Sequence, residues 1–451
     1  MVEANMKKAN AVSEWYLKGF EMLEKDLNGQ SKSPLHAIRK QALRRFGELG
    51  FPTTRHEEWR FTNVTPIRNT EFKPALRKQP SALAKKDVEK HFLTGPKSPK
   101  MVFVDGHFAP ELSHLPVLPS NCRIESLASA LKNDAATAEK HLTRYALYED
   151  NAFTALSTAF IQDGAFILIG DDIDYEEPIE CLFVATASNV PQLAQPRNLI
   201  VAGKNSRATF VETYVGLGKG VYLTNGVTEI VVGESAVVEH DKLQRESEQA
   251  FHVGSIHVQQ SRASTYTNNC ISLGGAIVRN TITAVLAGEG CESTLNGLSL
   301  GAGDQLIDNH TVIDHTMPHC ASHELYKAVL DGRSKGVFNG KIFVRQDAQK
   351  TDAKQTNKTL LLSDDATIDT KPQLEIFADD VKCTHGATVG QLDDEQVFYL
   401  RSRGIGESMA RDILTFAFAS DVVNRVHSET LKNNLYELIH QRLEQGRVVL
   451  R

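Results

Sequence analysis

Cysteine is scarce in this 451-residue chain: Cys122, Cys181, Cys270, Cys291, Cys320 and Cys383 are scattered, and no two form a CxxC pair. That spacing excludes zinc ribbons and a disulfide framework, and it predicts reduced thiols in a cytoplasm. Long apolar runs are missing too, so no bilayer span is expected. The opening MVEANMKKANAVSEW has no apolar segment of the kind a secretory signal needs. The N-x-T sequons at Asn63 and Asn357 are then chance matches in a cytoplasmic protein. Charge of one sign is also lacking, with 50 Lys and Arg against 56 Asp and Glu, a net of -6. The basic stretches Lys7-Lys8, Arg44-Arg45 and Lys85-Lys86 are short, which argues against nucleic acid or a membrane surface as partner. There is no glycine-rich phosphate loop and no GxSxG elbow.

What is present divides the chain into three textures. Up to about residue 150, Val12, Tyr16, Gly19, Phe20, Leu23 and Leu27 recur at helical spacing, as do Leu35, Ile38, Leu43 and Phe46. Gly50 and Pro52 end the second stretch. MVFVDGHFAPEL, 101 to 112, predicts a hairpin around Asp-Gly, and the Lys- and Pro-rich 73 to 100 a connecting loop. From about 155 to 400 short β-branched segments alternate with Gly turns. Small residues open strands at Ala208, Ala236, Ala263, Cys291 and Ala321, spaced by 28, 27, 28 and 30. A sustained period of that length predicts stacked supersecondary units. Without intervening helices such units make a mainly β solenoid, a β-helix, with a β-sandwich as the competing fold. After Gly404 helical periodicity returns, in Met409, Ile413, Leu414, Ala417 and Val422, then in Leu431, Leu435, Leu438, Ile439 and Leu443. Ser428 reads as an N-cap between them and Gly446 as a stop. These helices either dock a partner or fold back as a cap on the chain's own core. The division expected is 1–150 helical and mixed, 151–405 β-helix, and 406–451 helical.

Four stretches carry candidate chemistry. In VKCTHGATVG, 381 to 390, Cys383 and His385 lie two apart, so a strand projects both from one face. Thiolate and imidazole suit iron or zinc, but two ligands do not close a site. Either the pair is interior filling or the other ligands come from elsewhere. DNHTVIDHTMPHCASHELYK gathers His310, His315, His319, Cys320 and His323. In an unbroken strand His315, His319 and His323 would spread over more than about 20 Å, so this cluster reads as incidental. HEEWRFTN, 56 to 63, lacks the second histidine of HExxH; Trp59 and Phe61 read as turn anchors with the charges exposed. QKTDAKQTNKTLLL, 349 to 362, reads as a hydrogen-bonding ladder on a solenoid edge or as an interface strand. The pairs Asp364-Asp365, Asp379-Asp380 and Asp393-Asp394 face opposite ways in a strand and make no acid–base couple.

The run TKPQLEIFADDVKCTHGATVGQLDDEQVFYLRSRGI, 370 to 405, resembles the SufB/SufD family of the SUF iron–sulfur cluster assembly machinery, and its SufD branch in particular. The resemblance extends upstream through HCASHELYKAVLDGRSKGVFNGKIFVRQDAQKTDAKQTNKTLLL and weakly to HEEWRFTN. It is specific over 310 to 425. It implies a right-handed parallel β-helix core flanked by helical N- and C-terminal domains, in a scaffold subunit that is not an enzyme. It further implies pairing with SufB through the β-helix, and a dock for the SufC ATPase on residues from about Glu407 to Leu443. A nascent iron–sulfur cluster would form transiently at the SufB–SufD interface. His385, in the K-C-x-H-G motif, would be this chain's ligand, with Cys383 beside it. No cofactor would be held tightly by the isolated chain, while the resemblance allows a reduced flavin on the complex. The unpaired solenoid edge is compatible with a homodimer when the chain is alone. In SufB-like chains an acidic residue typically follows the motif histidine and cysteines are richer near the N-terminus; here Gly386 follows, and the first 120 residues hold no cysteine. Two other readings remain: an architectural partner of SufB without a ligand role, and a carbohydrate-active β-helix enzyme. The second would need carboxylates in register at the coil period, which the sequence does not show.

Overall fold

The computed structural model describes residues 15–27, 33–76, 83–187 and 190–444, so the expectations for Lys7-Lys8, Val12 and Gly446 lie outside the described residues. Ser33 caps the helix Pro34–Leu49 by accepting from the His36 amide, and Pro34 fills a first-turn position where no N–H is needed. Gly50 ends it at φ 61, a conformation that glycine adopts without strain. This helix and the one over 15–26 pack on Ala152–Ala159 through Tyr16, Phe20, Phe46, Phe51, Phe153 and Phe160. The expected hairpin forms, Lys100–Val104 against His107–Phe108, with Asp105 and Gly106 both at positive φ as a tight two-residue turn requires.

Two sheets of 11 and 10 strands make up the core, and their strands alternate along the chain. Each core strand pairs in parallel with the strand two places on, which excludes the sandwich and makes a parallel β-solenoid. In one column Arg207, Val237, Thr265, Glu292, Ala321, Asp352 and Lys382 align, coil after coil, 27 to 31 residues apart. The period read from the small residues is therefore right, but their phase is mixed. Ala321 lies on that column, Ala236 and Cys291 one place before it, Ala263 two before, and Ala208 one beyond. Turns that differ by one or two residues between coils produce the slippage.

The two ends of the solenoid differ. At the first end Lys100–Val104 pairs with Asp174–Ala185, and Arg123–Ser126 with Ala165–Ile169, so both edges are covered. A buried ion pair fastens this cover: Glu229 accepts from Arg197 at 2.7 Å and from the amides of Thr143, Tyr145 and Ala146. At the other end the edge strands are Thr367–Ile376 and Lys382–Gly390, and no described strand pairs with their outer sides. Unpaired strand edges invite pairing with another chain unless something covers them.

The HEEWR segment docks on the outer face of the first sheet. Trp59 stacks on Phe153, and the Arg279 guanidinium lies 4.2 Å from the indole centroid. Glu58 pairs with His310 at 3.3 Å, and Glu57 with Lys371 at 2.6 Å. Its charges are thus exposed, as expected, but they also tie the segment to the solenoid. The C-terminal helices Glu407–Val423 and Glu429–Glu444 pack through Ala419, Val422, Val423, Leu431, Leu435 and Ile439 on the outer face of the second sheet. Their apolar partners there are Val211, Leu243, Ile271, Leu298, Leu325 and Val329. Ser428 accepts from the Leu431 amide, as an N-cap does. This is the cap reading. The opposite side, with Met409 and Ile413, faces solvent beside Phe398 and Tyr399 of the helix Asp394–Ser402. No helix among the described residues is long and apolar enough to cross a membrane.

Candidate functional site at the open end

Alternation in a strand fixes what the last strand presents. Cys383 aligns with Ala353 and, beneath it, with Ser322, Ser293, Tyr266, Val238 and Ala208, all buried in the interior. His385 aligns with Gln355, Glu324, Leu295, Asn268, His240 and Phe210, the neighbouring interior column. Cys383 and His385 therefore occupy inward positions of one strand, about 7 Å apart along the chain. No further coil lies over them. Cys383 is half-buried against the apolar interior, and His385 is exposed.

Their surroundings differ in chemistry. Burial pushes the Cys383 thiol pKa up, and the nearby Asp352 adds to this against a hydrogen bond from the Ala353 backbone. The thiol is neutral at rest and is not an activated nucleophile. Below His385 lies a polar pair, since the Gln355 amide nitrogen donates to the carboxyl of Glu324 in the next coil. Burial raises the Glu324 pKa to about 7, despite the hydrogen bond from Gln355 that favours the charged form. One oxygen of each side chain, Oε1 of Gln355 and Oε1 of Glu324, has no partner.

Around the pair the end of the solenoid is apolar and accessible. Ile376, Phe377 and Val389 are exposed to 40%, 58% and 45%, in or beside the two edge strands. A Cβ built on Gly386 or Gly390 would meet nothing, so the terminal strand has open space at both positions. Pro372 sits in the other edge strand, where a missing N–H breaks no internal ladder. Among the described residues no three His, Cys, Asp or Glu side chains are placed to hold a metal ion.

The histidine cluster does not converge. His310 is on the outer face with Asp308 and Glu58, and His315 faces inward to Ser322 at 2.9 Å. The chain turns between them and His323, with His319 exposed at φ 59 in that turn. The polar stretch 349 to 362 forms the strand Asp352–Leu361, which is covered by the terminal strand rather than standing at an edge. Its Gln355, Asn357 and Thr359 are interior residues. Sequence reasoning missed Gln355 and Glu324 as neighbours of the site. Their signal was a polar residue recurring at the coil period in an inward column.

Comparison with known proteins agrees along the chain. Residues 183–418 match the model described as SUF system FeS cluster assembly, SufBD core domain. Residues 10–181 match the SufBD protein N-terminal region. An iron-sulfur cluster assembly SufBD family protein of Synechocystis is 33% identical over 92% of both chains. The iron-sulfur cluster assembly protein SufD of Escherichia coli is 30% identical over 97% of this chain and 98% of its own. The Bacillus subtilis SufD is 25% identical over 96% and 98%.

Proposed function

The chain belongs to the SufBD family of the SUF iron–sulfur cluster assembly system, and from that membership we propose that it is a non-catalytic scaffold subunit. It presents Cys383 and His385 to a nascent cluster whose other ligands come from a partner. The observation that carries this reading is the asymmetry of the solenoid. Its first end is covered, while its last coil leaves two edges unpaired, with a thiol and an imidazole in the inward positions. Strand addition at such an edge supplies main-chain hydrogen bonds, and exposed Phe377 and Val389 supply apolar area. The partner is SufB, which the family resemblance pairs with this chain through the β-helix.

Within this reading the cluster is cargo, and the two side chains divide the work. His385 is the ligand: neutral imidazole binds iron through one nitrogen and exchanges without a covalent step. Cys383, neutral and half-buried, lines the site and becomes a ligand only on losing its proton. The SufC ATPase docks on the outward side of the C-terminal helices. Phe398, Tyr399, Met409 and Ile413 are the exposed apolar residues there. This dock is narrower than the span from Glu407 to Leu443, because Leu431, Leu435, Ile439 and Leu443 are spent on the second sheet. The site of action is the cytoplasm.

Co-expression with SufB and SufC tests the pairing. The double variant Phe377→Asp, Val389→Asp should fold as the native chain does by circular dichroism, keep SufC and lose SufB on co-purification. Retention of SufB at native yield would place the partner elsewhere. A homodimer of the isolated chain that the same variant splits would show that the edge also pairs with itself.

A further inference from the structure

At one corner of the solenoid the residue just before several second-sheet strands closes the turn with a short side chain, whereas Ala236 and Val381 hold that place without a donor. Ser206 donates to the Gly203 carbonyl at 2.7 Å, Ser264 to that of Ser261 at 2.6 Å, and Thr351 to that of Ala348 at 2.8 Å. A hydroxyl suits this role, being a good donor of small volume. In two consecutive coils the position holds Cys291 and Cys320 instead, and a thiol is a much weaker donor. Cys291 reproduces the turn contact, with Sγ 3.1 Å from the Gly288 carbonyl. Cys320 Sγ lies 3.3 Å from that same carbonyl, across the coil boundary. Two sulfurs therefore converge on one oxygen.

The backbones are joined here as well, the Ala321 amide bonding the Cys291 carbonyl at 2.9 Å. Parallel neighbours stand about 4.8 Å apart, within the Cα separation that a disulfide spans, roughly 4.4 to 6.8 Å. Both thiols are buried, Cys291 at 0% and Cys320 at 1% exposure, at the edge of the apolar interior beneath the turns that carry them. Gly290 faces open space above, and Glu289 and His319, each more than half exposed, bridge the two turns at 4.0 Å. The Cys320 thiol can donate to a Cys291 thiolate, which is the main reason the Cys291 pKa falls to about 6, with Ser264 helping. Cys320 rises in exchange.

We propose that Cys291 and Cys320 form a peroxide-sensitive dithiol that closes to a disulfide and staples two adjacent coils together. The Cys291 thiolate attacks one oxygen of a hydroperoxide, the O–O bond breaks, and hydroxide or alkoxide leaves a sulfenic acid on Cys291. Cys320 sulfur then displaces that oxygen as water, after its proton passes to it, and the S–S bond forms. Two electrons pass from the sulfurs to the peroxide, and a dithiol reductant returns them. None of this depends on the scaffold reading, and the readout is a mass rather than cluster assembly.

The test oxidises the folded full chain with hydrogen peroxide, blocks remaining thiols with a maleimide under denaturing conditions, and maps peptides without reduction. The proposal expects the segments holding Cys291 and Cys320 to be linked, with a loss of about 2 Da for the two thiol hydrogens. It also expects a higher urea midpoint than in the reduced chain, reversed by dithiothreitol. Cys291→Ser, which restores the side chain found at Ser206 and Ser264, should fold and abolish both changes. Maleimide on both cysteines after oxidation of the folded chain would overturn the proposal. So would a link that appears only when the chain is oxidised in urea.

Discussion

Replacing Glu324 by Gln should make the protein more stable at alkaline pH. Glu324 is 3% exposed inside the solenoid, and burial raises its pKa from 4.5 to about 7. Its folded pKa lies above the unfolded one, so between the two the folded chain binds more protons than the unfolded chain. Stability from this group is then full below about pH 4.5, falls as pH rises towards 7, and levels off above. A shift of about 2.5 units at 1.36 kcal/mol each costs roughly 3 kcal/mol on the alkaline side. Gln keeps the shape and can accept from Gln355, but it carries no charge to desolvate. Urea unfolding at about pH 5 and about pH 8 and equal ionic strength reads the effect. The variant should gain up to about 3 kcal/mol over the native chain at the higher pH and much less at the lower one. A variant equally destabilised at both values would refute the argument, because hydrogen-bond geometry rather than charge would then set the energy.

Arg197→Met should cost about 3–5 kcal/mol, because it strands Glu229 in a site where both side chains are fully covered; urea unfolding with an unchanged slope would measure it, and a loss under 1 kcal/mol would contradict it. Gly297→Ala puts a Cβ 2.2 Å from the Tyr326 ring, which is itself buried, so the melting temperature should fall by an amount equivalent to about 1–3 kcal/mol. An unchanged melting temperature would mean that the ring has somewhere to go. Arg279→Met removes the guanidinium that joins Asp308 to Trp59, so limited proteolysis between residues 53 and 63 should accelerate while the β signal in circular dichroism stays.

How much of this could be read beforehand depends on the kind of pattern. The coil period and the strand texture were legible because every coil repeats the same inward columns, and repetition survives loose turns. The phase was not legible, since turns one or two residues longer shift a small residue such as Ala263 off the column of Ala236. The shared face of Cys383 and His385 follows from alternation alone, so the geometry of the candidate pair was legible. Its polar floor was not: Gln355 and Glu324 sit on different strands, aligned only by the coil period, and their polarity argues against an interior column. The stripe with Met409 and Ile413 left open whether it docks a partner or caps the core. The second sheet's apolar outer face takes the small side of that helix, Ala419, Val422 and Val423, and leaves the larger residues outside. The dock of Glu58 on His310 joins residues some 250 positions apart, beyond any local signal.

The central claim is that His385 holds cargo at a site shared with a partner chain. Iron and acid-labile sulfide on the SufB–SufC complex of this chain, purified without oxygen, test it most directly when native and His385→Ala complexes are compared. The account predicts that the His385→Ala complex assembles at native yield and carries at least about tenfold less of both. Equal iron and sulfide in the two complexes would contradict it, and would leave the open end of this solenoid a structural partner only.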